Sequence, residues 1–355
     1  MQRMGEVPVQ TACTHCPYWP LPPPTHPFDD MNMLRALATR LLQGFLLVLA
    51  VVVLNFMLVH AAPGDPVETI AGASGGMSPE LMAQLRTQYG LDRSLPAQLG
   101  IYLGRVLGGD LGYSYFFNLP VAQMIFERVP ATLLLVVSAV LLAFLAGTLL
   151  GVLSARRPNG LLSQCITVLS LVGFAAPVFW TGMMLVLLFA SWLPILPVAG
   201  MRSADSVGAS GLADVLDVLH HLVLPTVTLA LVYLAQYSRL ARSSMLDVLG
   251  SDYIRTARAK GLADHVVLYK HALRNALLPV VTMLGLQFGN VMAGAIIVET
   301  VFNWPGLGRL AFDSVLRRDY PTILGVLLFS SIVVVVMNLL TDLAYRLIDP
   351  RIKTA

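Results

Sequence analysis

Charged residues are scarce in this chain of 355 residues. Asp, Glu, Lys and Arg together make up 12% of the sequence, whereas soluble domains contain roughly 25%. Hydrophobic residues make up 56%, and the mean hydropathy is +0.73. This composition excludes a soluble globular domain and predicts an all-α integral membrane protein that crosses the bilayer several times.

Motifs for nucleotide hydrolysis and metal-dependent proteolysis are also absent. The chain has no GxxxxGKS or GxxxxGKT phosphate-binding loop, and its three lysines, Lys260, Lys270 and Lys353, stand outside any such pattern. It also has no HExxH zinc motif, although His220 and His221 share one connector. We therefore expect a chain that is not an enzyme and that requires no cofactor.

Cysteine is rare as well. Cys13, Cys16 and Cys165 are too few for a disulfide framework. Cys13 and Cys16 form a CxxC pair with no second pair of ligands nearby, so no metal site is expected. Because the basic residues cluster in particular connectors, we do not expect nucleic acid as a partner.

Six apolar stretches are long enough to cross the bilayer, which requires about 20 residues per helix. They cover residues 37–60, 131–155, 161–193, 222–240, 277–298 and 323–347. The third is long enough to tilt, to kink at Pro177 or to end early at Pro194. No span centre carries an Asp, Glu, Lys or Arg that could relay protons or sodium. The energy for any transport must therefore come from another chain.

Basic residues of the short connectors fall on one side of this six-span arrangement. By the positive-inside rule that side is the cytosol, so both termini are predicted to be cytoplasmic. The residues are Arg35, Arg40, Arg156, Arg157, Arg239, Arg242, Arg255, Arg258, Lys260, Lys270, Arg274, Arg346, Arg351 and Lys353.

The spans divide the chain into five predicted regions. They are a proline-rich disordered tail at residues 1–32, the first span at 33–60, an extracytoplasmic region at 61–130, the core with spans two to six at 131–349, and a cytoplasmic C-terminus at 350–355. Ser78 and Pro79 predict a helix start in the outer region, with the helix running to about Tyr89. The segment FNWPGLGRL is too short and too polar to span, so Trp304 should anchor it at the outer interface.

The connector between spans four and five is basic and rich in alanine. Helical periodicity places Arg255, Arg258 and Lys260 towards solvent or a partner, while Ala257 and Ala259 keep the helix thin. Gly261 tolerates the positive φ that ends a helix, and Asp264 can cap a second helix leading into the next span. The unit is either a docking element for a cytosolic protein or a solvated loop that follows the positive-inside rule.

A resemblance favours the docking element. The runs DYIRTARAKGL and HALRNALLPVVT in this connector resemble the coupling motif of permease subunits of binding-protein-dependent ABC importers, in the dipeptide, oligopeptide and nickel class. Further matching pieces follow in family order over nearly the whole chain from Leu34. They are APGDP, GDLGYS, RVPATLLL, SRLARSSMLDVLGSDY, ETVFNWPGLGRL, RRDYP and DPRI.

This resemblance implies a type I ABC importer permease fold in a bacterial inner membrane. Six transmembrane helices are expected, with an extracytoplasmic region between helices 1 and 2 and a cytoplasmic coupling helix between helices 4 and 5. Thr256 stands where many importers carry Glu, a departure that this class commonly shows. The coupling residues implied are Tyr253, Arg255, Thr256, Ala257, Arg258, Ala259, Lys260 and Gly261.

The same resemblance implies partners and a substrate. The partners are a second permease subunit, two ATP-binding subunits, an extracytoplasmic substrate-binding protein and membrane lipid. Alternating access driven by the ATPases would import short peptides, either dipeptides or glutathione. A nickel or peptide-antibiotic importer is the alternative within the class. Outside this class, the alternatives are a membrane-embedded enzyme, for which the sequence has no catalytic motif, and a channel, which would not need a docking unit.

Polar residues within spans four and five, and at the outer end of span five, are candidates for the path and the outer gate. Tyr233, Gln236, Gln287 and Asn290 either line the translocation path or form hydrogen bonds between helices. Glu299, Trp304 and Arg309 form an outer gate or contact the binding protein, and the alternative for Glu299 is a simple interfacial carboxylate.

Overall fold

The structure is a computed structural model, and it describes residues 30–61, 78–89, 92–204 and 211–348. The chain divides into two units, Met1–Gly44 and Phe45–Ala355. The described part of the first unit is the beginning of one helix, and the second unit holds the remaining elements. The predicted tail at residues 1–32 lies outside the described residues except for its last three, which are helical. The predicted C-terminus at 350–355 also lies outside them.

Helices make up nearly all of the described chain. They are α1 (Asp30–Ala61), α2 (Pro79–Tyr89), α3 (Leu95–Leu107), α4 (Val121–Arg156), α5 (Leu161–Ala175), α6 (Val178–Val186), α7 (Leu212–Leu249), α8 (Asp252–Ala259), α9 (Asp264–Val266), α10 (Leu273–Val301), α11 (Leu307–Arg317) and α12 (Tyr320–Ile348). Two π-helical segments, Leu187–Trp192 and Val267–Ala272, continue α6 and α9. The strands β1 (Tyr113–Ser114) and β2 (Leu119–Pro120) pair antiparallel in a short hairpin.

The centre of the fold is the contact between α4 and α7, the most extensive helix pair in the described residues. Two glycines of α4, spaced four residues apart, permit the close approach. A Cβ atom at Gly147 would lie 2.7 Å from the Cβ of Tyr237, and one at Gly151 would lie 2.5 Å from the carbonyl oxygen of Ser238. The bulk of the hydrophobic core surrounds this pair and includes side chains from α10.

Four helices of the described chain are long and apolar enough to cross a membrane. The spans lie within Ala38–Leu58, Val121–Arg156, Leu212–Leu249 and Tyr320–Thr341. A fifth span is possible if Leu161–Ala175 and Val178–Trp192, which meet at 106°, cross together. Of the three alternatives for this stretch, the bend agrees with a kink at Pro177, because proline holds the preceding Ala176 in an extended conformation. The predicted span at 277–298 lies within α10, whose side chains are described only in part, so the count of six stays a prediction.

Elements of the predicted outer side are fixed to the helix ends by hydrogen bonds. The helix predicted after Ser78 begins at Pro79 and ends at Tyr89, as expected. The hairpin is anchored where the Ser114 hydroxyl donates to the Asp319 carboxylate, 2.6 Å away, and Thr322 donates to the same oxygen. All three side chains are buried. This network joins the hairpin to the start of α12.

Candidate functional site

The predicted coupling unit folds as helix, glycine turn and helix. Ser251 is extended at the N-cap of α8, and Asp252 places negative charge in the first turn. Gly261 has φ +77° and donates its backbone N–H to the carbonyl of Arg258, at 2.9 Å. A second helical stretch begins at Asp264 and runs through the π-helical segment into α10. The helix, the left-handed glycine and the second helix are therefore confirmed, but Asp264 is not the cap, because Ala263 stands at the N-cap and no side chain bonds to the helix end.

One face of α8 is seated on the protein itself. Ile254 is fully buried, and Ala257 is 8% exposed. They belong to a hydrophobic cluster that includes Val152 of α4 and Met245 of α7. The same cluster includes Ala276 of α10 and three residues of the π-helical segment Val267–Ala272, so the buried face of α8 shares one core with the ends of three long helices. The expectation that Ala257 gives a partner room for close approach is wrong, because its side chain faces inward.

The opposite face of α8 is exposed and cationic. Arg255, Thr256, Arg258, Ala259 and Lys260 are all exposed, as helical periodicity predicted for the basic residues. Arg255 also contacts Asp252 at 3.3 Å, but both side chains are largely in solvent, and such pairs contribute little stability. This face offers positive charge and one methyl-sized side chain to a partner.

Tyr253 joins α8 to the helix that follows. Asn275 Nδ2 donates to the Tyr253 hydroxyl at 2.8 Å, and that hydroxyl donates to the carbonyl of His271 at 3.4 Å. Tyr253 is therefore a brace within the coupling unit, with part of its ring still exposed. Asn275 was not among the predicted site residues, since a single Asn in a basic run gives no local signal of its partner.

Two of the predicted path residues meet between α7 and α10. Gln287 Nε2 donates to Gln236 Oε1 at 2.5 Å, so the structure brings these two amides together. Gln287 is 5% exposed and Tyr233 9%, as expected for polar groups that avoid lipid. The side chain of Asn290 lies outside the described part of the structure. This contact is a hydrogen bond between helices, which was the alternative to lining the translocation path. A path along this interface would be closed while the two amides are bonded to each other.

The predicted gate residue Glu299 lies in a buried network at the end of α10. Its carboxylate accepts hydrogen bonds from the Thr132 hydroxyl at 2.6 Å and from the backbone N–H of Arg309 at 3.1 Å. The Thr132 oxygen in turn accepts from the backbone N–H of Leu307 at 2.8 Å. Negative charge at the first turn of α11 satisfies otherwise unpaired N–H groups and complements the helix dipole. We call Glu299, Thr132 and the first turn of α11 the outer latch.

Glycines around the outer latch leave room for the buried carboxylate. A Cβ atom at Gly306 would overlap the Glu299 carboxyl group, and one at Gly308 would lie 2.5 Å from the Cα of Ile296. Trp304 fills the adjacent space, fully buried, and its Nε1 donates to the carbonyl of Ala131 at 2.9 Å. The two glycines of FNWPGLGRL are thus packing requirements as well as helix breaks.

The burial of Glu299 and Trp304 corrects part of what was predicted from the sequence. Trp304 is not an interfacial anchor, because its ring is enclosed by the protein. Neither Glu299 nor Trp304 has side-chain surface to offer a binding protein in this structure. Arg309 is partly exposed and donates to the carbonyl of Asn303 at 3.1 Å. Thr132 was missed, because its partner is 167 residues away in sequence.

Comparisons with known proteins agree with this architecture. Residues 147–354 match the family described as binding-protein-dependent transport system inner membrane component, and residues 33–136 match its N-terminal family. The chain is 42% identical over 322 residues to a putative peptide permease protein of Brucella suis, covering 90% of this chain and 99% of that protein. It is 42% identical to the dipeptide transport system permease protein DppB of Escherichia coli K12, covering 86% and 94%. It is 40% identical to the oligopeptide transport system permease protein AppB of Bacillus subtilis, covering 88% and 98%.

A solved structure shares the fold. The methionine ABC transporter MetNI in an inward-facing conformation aligns with a TM-score of 0.50 and 16% identity, covering 64% of this chain and 97% of that one. This likeness bears on the fold alone. The family matches cover most of the chain. Members of this family are permease subunits that do not hydrolyse ATP themselves; separate ATPase subunits do so. The chain therefore belongs to the family of inner membrane components of binding-protein-dependent transport systems, as a non-catalytic permease subunit.

Proposed function

We propose that this chain is the permease subunit of an ATP-driven importer of short peptides, with dipeptides as the first candidates. It would pair with a second permease, two ATPase subunits and an extracytoplasmic binding protein. The support is the set of relatives named for peptide, dipeptide and oligopeptide transport, which align over 86% to 90% of the chain. Nickel chelates, peptide antibiotics and glutathione are the competing substrates.

The coupling role rests on one observation, the two-faced packing of α8. Its basic face is exposed, whereas Ile254 and Ala257 are buried against α4, α7 and α10. Burying an Ile side chain contributes about 1.5–3 kcal/mol, and Tyr253 adds a side-chain hydrogen bond to Asn275. Because α8 is held on its inner side, displacement of a partner gripping its outer side would move the helix ends with it.

Translocation would occur along the interface that holds Gln236 and Gln287. Each amide carries both donors and an acceptor, which is the hydrogen-bonding chemistry of a peptide bond. In this proposal the two amides bond to each other while the path is closed and exchange that bond for hydrogen bonds to the substrate backbone when it opens. Asn290 and Tyr233 belong to the same proposed path.

At the outer side, the latch forms the fixed edge of the gate. Glu299, Thr132 and Trp304 tie α4, α10 and α11 together through buried hydrogen bonds. Arg309 keeps exposed surface beside them and is the candidate for contact with the binding protein. The gate would open between this edge and the second permease.

The test is substrate-stimulated ATP hydrolysis in the reconstituted complex. The chain is assembled with its second permease and ATPase subunits in nanodiscs, and purified binding proteins loaded with dipeptide, glutathione, nickel chelate or peptide antibiotic are added. Stimulation by dipeptide is the expected result. Stimulation by nickel chelate alone would contradict the substrate assignment, and failure of any ATPase to associate would contradict the permease role.

A charge-reversal variant tests the coupling face separately. Arg255→Glu with Lys260→Glu should leave the chain inserted, because both side chains are exposed, while ATPase association falls. Arg86→Glu with Arg93→Glu reverses two exposed charges in the predicted outer region, so it is the matched charge control and should associate normally. Equal association of all three proteins would refute a role for the basic face.

A further inference from the structure

A cavity of about 710 Å³ opens beside the coupling unit. It lies where α4 ends, α5 begins and the turn between α8 and α9 passes. Its lining has two kinds of residue. Arg156, Arg157 and Arg258 form a basic wall, and Leu153, Leu161 and Leu162 form an apolar one.

The basic wall has little negative charge near it. Arg156, Arg157 and Arg258 are exposed, and none of them is ion-paired within the described residues. Asp264 is the one carboxylate among the lining residues, which also include His265. Three guanidinium groups against one carboxylate leave an excess of positive charge, and arginine binds phosphate through paired N–H groups.

The connector between α4 and α5, where Arg156 and Arg157 lie, is held in place. Arg242 of α7 donates to the carbonyl of Pro158 at 3.1 Å and to the Thr167 hydroxyl at 3.2 Å. The connector closes on itself where the Gly160 N–H donates to the carbonyl of Arg157 at 3.0 Å. The basic wall is therefore positioned by the fold before any ligand arrives.

The apolar wall continues beyond the cavity as a lipid-length surface. Leu161 is 81% exposed and Leu162 61%. Along α5 the same helix presents Val168, Leu169 and Val172, each more than half exposed. Positions 161, 165, 168, 169 and 172 share one side of a helix, given 3.6 residues per turn. The surface thus starts at the basic wall and runs along a helix of the broken span.

We propose that this cavity binds the headgroup of an anionic phospholipid, whose acyl chains lie along the exposed face of α5. The position at the end of the spanning helix α4 puts the three arginines at headgroup depth. Basic pockets between helices on the cytoplasmic side are suited to such lipids. A free phosphate ion shares the headgroup chemistry but leaves the apolar wall without a partner, whereas a phospholipid matches both walls.

Native mass spectrometry of the full-length chain tests this proposal. The protein is released from nanodiscs of phosphatidylcholine alone, with phosphatidylglycerol, or with cardiolipin, and retained lipid is counted. Arg156→Gln with Arg157→Gln removes two charges from the basic wall. Lys270→Gln with Arg274→Gln removes two exposed charges from the same predicted side without touching the cavity, so it is the matched control.

The wild-type chain and the control should retain anionic lipid over phosphatidylcholine. The cavity variant should bind it roughly 30-fold more weakly, the loss expected for two basic residues at an anionic membrane surface. Equal retention by both double variants, or no preference over phosphatidylcholine, would overturn the proposal. Competition by inorganic phosphate as strong as that by lipid would assign the site to free phosphate. Unchanged lipid binding with lost ATPase association would assign the arginines to a protein interface.

Discussion

Alanine at Gly306 provides a steric test of the outer latch. Its backbone conformation, φ −100° and ψ −178°, suits any residue, so the obstacle is steric, and the atoms nearest the new Cβ are those of the Glu299 carboxyl group. Overpacking of this kind costs about 1–3 kcal/mol. Glu299→Ala alone should cost about 3–6 kcal/mol, because two hydrogen bonds to a buried charged group are lost.

The double variant Gly306→Ala with Glu299→Ala should cost no more than Glu299→Ala alone. Removing the carboxyl group makes room for the alanine at 306, so the two changes are strongly non-additive, by about 1–3 kcal/mol. Gly308→Ala is the matched control. Its Cβ would lie 2.5 Å from the Cα of Ile296 as well as 3.0 Å from Glu299 Oε2, so Glu299→Ala should leave the clash with the Ile296 backbone and rescue it far less than it rescues Gly306→Ala.

The assay follows the fluorescence of Trp304 during thermal unfolding in detergent. The chain contains four tryptophans, and replacing the other three by phenylalanine isolates the buried indole next to the latch. The expected order of unfolding midpoints is wild type, then Gly306→Ala, then Glu299→Ala together with the double variant. If the double variant falls by the sum of the single losses, the packing of Glu299 against Gly306 is refuted.

Two further glycines allow similar tests. Gly261→Pro should leave the chain inserted but abolish ATPase association, because its φ of +77° and its N–H bond to Arg258 are both incompatible with proline. Gly250 has φ −79°, and an added Cβ atom there would make only ordinary van der Waals contacts with its nearest neighbours. Gly250→Ala should therefore associate normally. Gly151→Ala should lower the unfolding midpoint by forcing α4 from α7, at about 1–3 kcal/mol. Gly173→Ala, with its nearest neighbour at 3.9 Å, should not, and equal midpoints would refute the close-packing argument.

Features set by short-range chemistry could be predicted from the sequence. The start of α2 at Pro79, the break at Pro177 and the left-handed turn at Gly261 each depend on a proline or glycine and its immediate neighbours. The buried face of α8 also had a signal, since Ile254 and Ala257 are spaced i, i+3 among polar residues. This spacing predicts that Ala257 faces inward, whereas the resemblance to the coupling motif predicts that it faces a partner.

Long-range contacts had no such signal. The hydroxyl of Thr132 and the carboxylate of Glu299 meet across 167 residues, and the indole of Trp304 reaches the carbonyl of Ala131 across 173. A tryptophan beside a predicted membrane surface looks like an interfacial anchor until its packing is known. The contact between Gln236 and Gln287 was likewise invisible, although both residues were expected to face the bundle.

Helices α4 and α10 are joined at both ends, which constrains how this subunit can move. At the predicted inner end, Val152 of α4 and Ala276 of α10 belong to the same hydrophobic cluster as Ile254 and Ala257 of α8. At the outer end, Thr132 of α4 bonds to Glu299 of α10. Separating the two helices would break the buried latch or expose the cluster under α8, and either change is costly. If a partner pushes on α8, moving both helices together should therefore cost less than parting them.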